Sequence, residues 1–421
     1  MEASRFICIF VLTGAMAYAQ QPSPPVKITL EQALELAAKH NHSLKAARTT
    51  ISQSLADEVT ANLRPNPSLA WDSQFIPFFN LSQLGSADYF NNTAQFDLGV
   101  GYTIERGKKR QNRLQAAKDQ TAVTRSTVLD NERTLSFNVA QQFIAVQLAE
   151  SMLDLAQQNL KSYQQTIDIS EARVRAGDMA EGDLIKIKLQ LLQFQQDVSS
   201  AKLSRLQALA ALRQLLGFES VPENYDVEGA LDYKPVTSTE DELKSLAMQS
   251  RPDLTAARQS VIAAHSQVAL ARANSKKDLG VSSNYSHVGA ENSAALFFNM
   301  DIPLFDRNQG EIAHTQAAVT QSDELYREAT EQVSSDVVNA WEGLKTNDEI
   351  VNLYRSGYLD QTTQSRDISE YAYQHGAAPL LDFLDAERSY RANQLAYRQA
   401  LAAWMVSLEQ LRAAVGTRNL P

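Results

Sequence analysis

The sequence predicts an α+β membrane protein. Three chains, each giving four strands, would form a 12-stranded β-barrel that continues into a long α-helical coiled-coil barrel. Three observations predict this fold class: very long helical segments with a seven-residue apolar repeat, segments of alternating apolar and small polar residues, and an internal duplication containing both. With 421 residues, 44% of them apolar and 21% charged, the chain is expected to be ordered and to form two or three domains.

The N-terminus predicts a secretory signal peptide, residues 1–19. Arg5 precedes an apolar run, and Ala17-Tyr18-Ala19 forms an A-x-A cleavage site. The only cysteine, Cys8, lies inside this segment, so no disulfide is expected in the mature chain. No later segment approaches 18 consecutive apolar residues, so we expect no transmembrane helix, but a secreted chain can still enter a membrane as a barrel. The net charge of −10 argues against nucleic-acid binding.

The segment 106–217 predicts a long antiparallel helical hairpin. Its first arm contains no proline and, after Gly107, no glycine until the reversal at 176–182. Apolar residues recur every seven positions along both arms, which predicts a left-handed coiled-coil seam. The seam residues are Val139, Val146, Leu153, Leu160, Ile167 and Val174 in the first arm and Ile187, Phe194, Ala201, Ala208 and Leu215 in the second. At about 1.5 Å per residue the first arm would span roughly 100 Å.

Before this hairpin the period changes from helix to strand. Two short helices are expected first, one capped by Thr29 and one ending at Arg64-Pro65. A β-hairpin is then predicted at about 68–105, because bulky apolar and small polar residues alternate in both of its strands. A soluble hairpin with one buried face would show the same alternation, but aromatic residues near the strand ends favour a membrane interface.

The whole unit occurs twice. Asp168-Ile169-Ser170-Glu171 recurs as Asp367-Ile368-Ser369-Glu370, and the seam beginning at Val139 recurs at Val337. The predicted organisation is a first repeat 26–217, a linker 218–238, and a second repeat 239–416 with a β-hairpin at about 279–305 and a helical hairpin at 306–416. Apolar residues alternate in the last strand from Leu296 to Leu304, but their phase is shifted by one residue relative to the alignment of the two copies on either side. This shift predicts either a bulge or a misalignment there.

Four strands cannot close a membrane barrel, because such barrels need at least eight. A trimer would supply twelve strands and twelve helical columns, which closes both layers by symmetry. The predicted assembly is therefore a homotrimeric β-barrel standing on a helical tube.

The chain resembles the TolC family of outer-membrane efflux proteins along nearly its whole mature length. Ile302-Pro303-Leu304-Phe305-Asp306-Arg307 and Ile104-Glu105-Arg106-Gly107-Lys108 resemble its cation-efflux (CzcC-like) branch more than the archetype. The resemblance implies a passive export conduit for metal cations or small toxic compounds, located in the outer membrane and extending into the periplasm. It also implies contact with outer-membrane lipid, a periplasmic adaptor protein and an inner-membrane pump of the RND or ABC type, with no cofactor.

The resemblance also implies a periplasmic gate at the hairpin reversals. Asp382 and Asp385 fall on the family's paired aspartates, which form a cation-attracting ring, and their spacing puts both on one helix face. Tyr373 and Asp183 match gate-bonding positions of the archetype, but its gate arginine is replaced by Ala378 here. The expected adaptor-docking tips are Gly177 and Asp178 in the first reversal and Gly376 and Ala377 in the second.

Two other functions remain open on the sequence alone. One is a protein-secretion (type I) exit duct, because the conduit would be shared and the pump would choose the cargo. The other is a non-channel periplasmic adaptor that uses coiled-coil hairpins only for binding. No nucleophile–base pattern, phosphate loop or metal-ligand spacing is present in the sequence, so an enzyme is not expected.

Overall fold

The computed structural model describes residues 25–420, so the predicted signal peptide and Cys8 lie outside the described residues. The elements are β1 (Val26–Ile28), α1 (Leu30–His40), α2 (His42–Ala61), β2 (Ser68–Gln74), α3 (Ala87–Asn92), β3 (Gln95–Ile104), α4 (Lys109–Ala176), α5 (Glu181–Leu216), β4 (Tyr225–Val227), α6 (Glu240–Ser250), α7 (Pro252–Asn274), β5 (Leu279–Val288), β6 (Glu291–Asn299), α8 (Gln309–Leu353), α9 (Leu359–Gln374) and α10 (Leu380–Val415). Among these residues, no helix combines the length and apolar content needed to cross a membrane.

Helix α4 is the long unbroken arm that the seven-residue spacing predicts. It has 68 residues and therefore a length of about 100 Å. The chain leaves it at Gly177, whose φ of 84° closes the last turn, and returns as α5. Val139, Val146, Ile187 and Phe194 are buried along the seam.

The second copy repeats the joint at which the return arm meets the short helices. Asn41, at the start of α2, donates from Nδ2 to the Leu215 carbonyl at 2.9 Å. Arg251, at the start of α7, donates from Nη1 to the Ala414 carbonyl at 3.1 Å. Each bond therefore ties the end of a long return arm (α5 or α10) to the helix break beside it.

The long helices form one layer of four columns. Helix α4 contacts α2 and α5 on one side and α7 and α10 on the other, and α7 and α10 in turn contact α8. Since α2 and α5 both line α4, and α7 and α10 both line α8, each pair forms one column from two helices. The layer has two open edges, one along α2 and α5 and the other along α8 and α9.

The four longer strands form an antiparallel sheet in the order β2-β3-β5-β6. One face carries mainly apolar and aromatic residues, such as Trp71, Leu98, Tyr102 and Phe298. The other face is mainly polar or small, with Val288 and Phe297 as exceptions. The outer edges of β2 and β6 pair with no other described strand. The sheet, like the helical layer, therefore has two open edges.

The bounds predicted for the last strand were wrong. Strand β6 begins at Glu291 and ends at Asn299, so Ile302 and Leu304 lie beyond it. The predicted bulge is also absent from the β5–β6 pairing, which runs in continuous register from Gly280↔Asn299 to Val288↔Glu291. The last residue of β6, Asn299, pairs with Gly280, the second residue of β5, so the pairing ends where β5 itself begins.

The linker between the copies lies against both helical hairpins. Its strand β4 pairs in parallel with β1, and Asp226 within it forms an ion pair with Arg205 of α5. Further along, the ring of Tyr233 lies 4.9 Å from the ring of Trp404 in α10. The linker therefore contacts the return arm of each copy.

Candidate functional site

The two reversals that end the helical hairpins have the same construction. Gly177 and Gly376 both take positive φ, 84° and 73°, which L-residues with a side chain rarely adopt. The amide after each glycine bonds back to the helix it follows, Asp178 to Arg173 and Ala377 to Ala372. Gly177, Asp178, Gly376 and Ala377, the predicted docking tips, are all exposed.

Tyr373 lies in the contact between the two hairpins. It is buried, its ring stacks on Phe383 at 5.3 Å, and its hydroxyl lies 3.3 Å from the Ser170 hydroxyl of α4. The same hydroxyl lies 3.5 Å from the sulfur of Met179 in the first reversal. Tyr373 therefore links the second hairpin to the first.

The structure adds Arg173, which sequence reasoning missed. Its Nη1 donates to the Tyr373 carbonyl at 2.6 Å, and its Nη2 lies 3.5 Å from the Asp178 carbonyl. Its guanidinium also lies over the Tyr373 ring, 5.5 Å from the centroid. One arginine at the end of α4 thus joins both reversals. Only its place in the last turn before a glycine could have drawn attention to it.

Asp183 is not joined to Tyr373 by any hydrogen bond within the described residues. Its carboxylate pairs instead with Lys186 on its own helix, at 2.9 Å. The pair is partly exposed, so water screens it and it stabilises the helix weakly. The two gate positions implied by the resemblance are therefore in separate environments within one chain.

Asp382 and Asp385 lie in the first turns of α10, directly after the second reversal. Both are exposed and, three residues apart, they share one face of the helix. Asp385 has a loose ion pair with Arg388 at 3.6 Å, whereas the Asp382 side chain has no partner among residues 25–420. Both carboxylates are open to solvent in the single chain.

Further along the helices from the reversals, a buried polar layer joins the two hairpins. Glu387 of α10 is buried, and this burial raises the pKa of its carboxyl group. Burial, followed by the nearby Glu387, also raises the pKa of the Tyr163 hydroxyl. Arg391, one turn above Glu387, pairs with Asp197 of α5 and lies over the ring of Phe194, 4.3 Å from its centroid.

Comparison with known proteins identifies this architecture. The family model described as "Outer membrane efflux protein" matches residues 33–218 and 243–417. The chain belongs to this family. It is an outer-membrane efflux channel of tripartite systems that extends into the periplasm, and its family is one of channels and not of enzymes. These findings confirm the predicted family, function and location, and they decide against the adaptor alternative.

Individual relatives are distant but cover most of the chain. The cobalt-zinc-cadmium resistance protein CzcC of Cupriavidus metallidurans is 24% identical over 88% of this chain and 85% of its own length. The pyoverdine export outer membrane protein OpmQ of Pseudomonas putida is 25% identical over 92% of this chain and 86% of its own. A crystal structure of CusC superposes with a TM-score of 0.76 at 20% identity, over 95% of this chain and 96% of that one. The fold is therefore that of the CusC structure.

Proposed function

We propose that three copies of this chain form a 12-stranded β-barrel joined to a 12-column helical tube, which conducts cations out of the periplasm. The observation that carries this proposal is that the sheet and the helical layer both end in open edges, one contributed by each copy of the repeat. An unpaired strand edge exposes backbone donors and acceptors, and barrel closure removes such edges. The repeats are taken as 26–217 and 239–416, joined by the linker 218–238.

The number of copies follows from the width of the lumen. Two chains would give eight strands, and the interior of an eight-stranded barrel is just filled by side chains. Three chains give twelve, which leaves room for a conduit bounded by the polar face of the sheet. The apolar face would then meet outer-membrane lipid.

The open edges of the helical layer carry the apolar surface that such closure needs. Large apolar side chains are exposed on both edges and have no cover within one chain. They are Ile185, Leu189, Leu192, Leu203 and Leu206 on α5, and Leu353, Ile368 and Tyr371 on α8 and α9. Because the two edges differ, contact between them is head-to-tail and closes a ring.

Crosslinking tests this closure. Leu189→Cys and Ile368→Cys lie on opposite edges at similar heights above the reversals, so a bifunctional thiol reagent should join neighbouring copies and stop at three. The control, Leu189→Cys with Leu192→Cys, puts both thiols on one edge and should give no links between copies. A ladder that ends at two chains, or equal crosslinking of both variants, would refute the head-to-tail trimer.

We further propose that Asp382 and Asp385 make the periplasmic mouth cation-selective. In a threefold tube their shared helix face would bring six carboxylates together. The name of CzcC points to cobalt, zinc and cadmium, which supports cations as cargo and assignment to the cation-efflux branch. The name of OpmQ points to pyoverdine, an alternative cargo for the same duct. The exposed tips at Gly177, Asp178, Gly376 and Ala377 would bind a periplasmic adaptor serving an inner-membrane pump of the RND or ABC type.

Single-channel recording under a salt gradient tests the aspartates. The wild-type channel should show a cation-selective reversal potential, and Asp382→Asn with Asp385→Asn should move that potential toward zero. The matched control, Asp57→Asn with Asp241→Asn, removes two exposed carboxylates remote from the reversals and should leave it unchanged. An unchanged reversal potential in the first variant would refute the assignment.

A further inference from the structure

The place where the sheet meets the helices is basic, although the chain as a whole is acidic. We define this junction collar as residues 62–67, 105–113, 275–278 and 300–313. It contains nine lysines and arginines and five aspartates and glutamates, whereas the whole chain carries a net charge of −10. A basic band at one height of an acidic protein indicates an anionic partner at that height.

Three of the collar cations are neutralised within the chain. Lys109 pairs with Asp278 at 2.8 Å, Arg113 with Glu105 at 2.8 Å, and Lys277 with Asp306 at 3.4 Å. Four others have side chains with no ion pair or hydrogen bond among residues 25–420. They are Arg64, Lys108, Arg110 and Lys276. The collar carboxylates Asp301 and Glu311 also form no ion pair among the described residues, so nine cations against five carboxylates leave an excess of four positive charges.

The unpaired arginines lie on the apolar side of the sheet. Arg64 and Arg110 line a cavity of about 280 Å³ whose other walls include Tyr102 and Ile104, two residues of the apolar face. Lys109 and Glu105 also line it, and both are neutralised, Lys109 by Asp278 and Glu105 by Arg113. The cavity thus combines free guanidinium groups with an apolar wall.

The neighbouring chain segment exposes more apolar surface at the same level. After β6 ends, Ile302, Leu304 and Phe305 are exposed, Phe305 at 90% of its full area. Arg307 follows directly, and Arg106 lies close enough for its Nη1 to contact the Met300 sulfur at 3.0 Å. Apolar or aromatic side chains followed by arginine or lysine are typical of the boundary between membrane core and headgroups.

We infer that the junction collar binds an anionic phospholipid of the periplasmic leaflet, with its phosphate on Arg64 and Arg110 and its acyl chains along Tyr102 and Ile104. A guanidinium group can hold a phosphate through two parallel hydrogen bonds. The apolar wall favours a lipid over a free phosphate, which would leave that wall uncovered. The inference rests on the proposed barrel, in which the apolar face of the sheet meets the membrane.

Native mass spectrometry of the purified full-length protein tests the site. Phosphatidylglycerol and phosphatidylcholine with the same acyl chains are added at equal concentrations, and bound lipid per chain is counted. Phosphatidylglycerol should bind preferentially. Arg64→Gln with Arg110→Gln should weaken that binding by about 30-fold, from the usual contribution of two basic side chains near an anionic surface. Arg64→Lys with Arg110→Lys keeps the charge, so its affinity for phosphatidylglycerol should lie between those of the wild type and the glutamine variant.

Lys161→Gln with Lys202→Gln, which removes two exposed and unpaired lysines of the helical hairpin, should bind lipid like the wild type. Equal binding of the two lipids, or an unchanged affinity in the Arg64 and Arg110 variant, would overturn the inference. If inorganic phosphate displaces phosphatidylglycerol at equal concentration, the site binds free anions and the lipid assignment fails. The same spectra report the number of chains in the complex, so failure of the trimer is distinguished from failure of the lipid site.

Discussion

The two long arms are copies of one unit, yet one is continuous and the other is interrupted. Helix α4 has regular helical backbone from Lys109 to Ala176, whereas the second arm contains a π-helical turn at Tyr354–Tyr358, between α8 and α9. Inside that turn Gly357 has a φ of 114°, which a residue with a side chain could not adopt without strain. The difference shows how a duplicated helix absorbs a change in length.

The second arm is interrupted because it contains one extra residue. The seam residues Leu153 and Val351 are equivalent, and so are the reversal glycines Gly177 and Gly376. Leu153 and Gly177 are 24 positions apart, whereas Val351 and Gly376 are 25 positions apart. The second arm is therefore one residue longer in this stretch. In a regular α-helix an extra residue would rotate everything beyond it by about 100°. The π-helical turn absorbs that residue, and the buried faces on both sides keep their positions.

The interruption is covered by the linker. The Tyr233 hydroxyl donates to Asp348 at 2.6 Å and accepts from Asn352 Nδ2 at 3.0 Å. The Arg355 guanidinium lies 4.7 Å from the centroid of the Tyr233 ring. The equivalent stretch of α4 needs no such cover, because its own hydrogen bonds are unbroken.

The largest expected effect comes from deleting one residue in each arm. Deletion of Ala156, the α4 equivalent of Tyr354, should abolish folding and the proposed trimer, because Tyr163, Ile167 and Ser170 would rotate off the seam. Deletion of Gly357 should leave the chain folded and the proposed trimer intact, because it removes the inserted residue. Light scattering and far-UV circular dichroism in detergent measure both. Equal tolerance of the two deletions would contradict the insertion account.

The second effect concerns how each return arm holds the linker. Trp404→Ala should lower the free energy of unfolding by about 3–5 kcal/mol, since its ring is 2% exposed and packs on Tyr233. Arg205→Ala, at the equivalent position in α5, should cost about 1–3 kcal/mol because it leaves the buried Asp226 without its cation. Urea unfolding monitored by circular dichroism measures the loss of stability in both variants. A larger loss for Arg205→Ala than for Trp404→Ala would refute the claim that the second copy, whose long arm is interrupted, depends more on its linker contact.

A third effect concerns the end of the continuous arm. Arg173→Ala removes the contact from α4 to the Tyr373 carbonyl, a charged hydrogen bond worth about 1.5–3 kcal/mol. The reversals should separate more readily, and the open probability of single channels should rise. Arg175→Ala, two residues on and exposed, is the control and should behave like the wild type. No change in Arg173→Ala would mean that the closed state does not depend on this contact.

The smallest effect is a pH dependence at Glu387, whose counterpart in the first copy is Lys188. Burial raises the pKa of the Glu387 carboxyl group, so the folded state binds its proton more tightly than the unfolded state. This contribution to stability is present in acid and is lost as the pH rises through the raised pKa. Arg366, Arg391, Glu370 and the Tyr163 hydroxyl are the charged or titratable groups that act on this site.

Glu387→Gln should flatten that dependence. Melting temperatures from about pH 5 to pH 8 should fall less for this variant than for the wild type, while the exposed control Glu181→Gln should follow the wild type. If Glu387→Gln and the wild type lose stability equally across this range, the buried carboxyl does not control it.

The helical part of the fold could be predicted because its signals are local. A seven-residue apolar spacing places the apolar residues along one face of a helix, which predicts a coiled-coil seam. A glycine at each reversal permits the positive φ that ends the arm. The last strand was misplaced because its alternation continues through Ile302 and Leu304, whereas strand length depends on the partner strand. Alternation describes side chains, and it carries no information on where the partner's backbone groups begin.

The contacts between hairpins could not be predicted for a similar reason. Arg173 and Tyr373 are 200 positions apart, and neither residue type nor spacing indicates that an arginine in one arm bonds a carbonyl in the other. Glu387 resembles any surface glutamate until its burial is known. The aspartates of the proposed gate were identified through the family resemblance, and their role stays a prediction.

The parallel pairing of β1 with β4 sets an order of events in folding. Val26 pairs with Tyr225, so the first strand of the described chain needs a partner that lies about two hundred residues later in the sequence. Before Tyr225–Val227 is synthesised, β1 has no partner strand and its backbone groups are unpaired. The charge of Lys27 at its centre disfavours association with other chains during that time. The β1–β4 pair can form only after the linker has been synthesised, which follows synthesis of the whole first hairpin. Its formation would therefore mark, in time, the completion of the first copy before the second is built beside it.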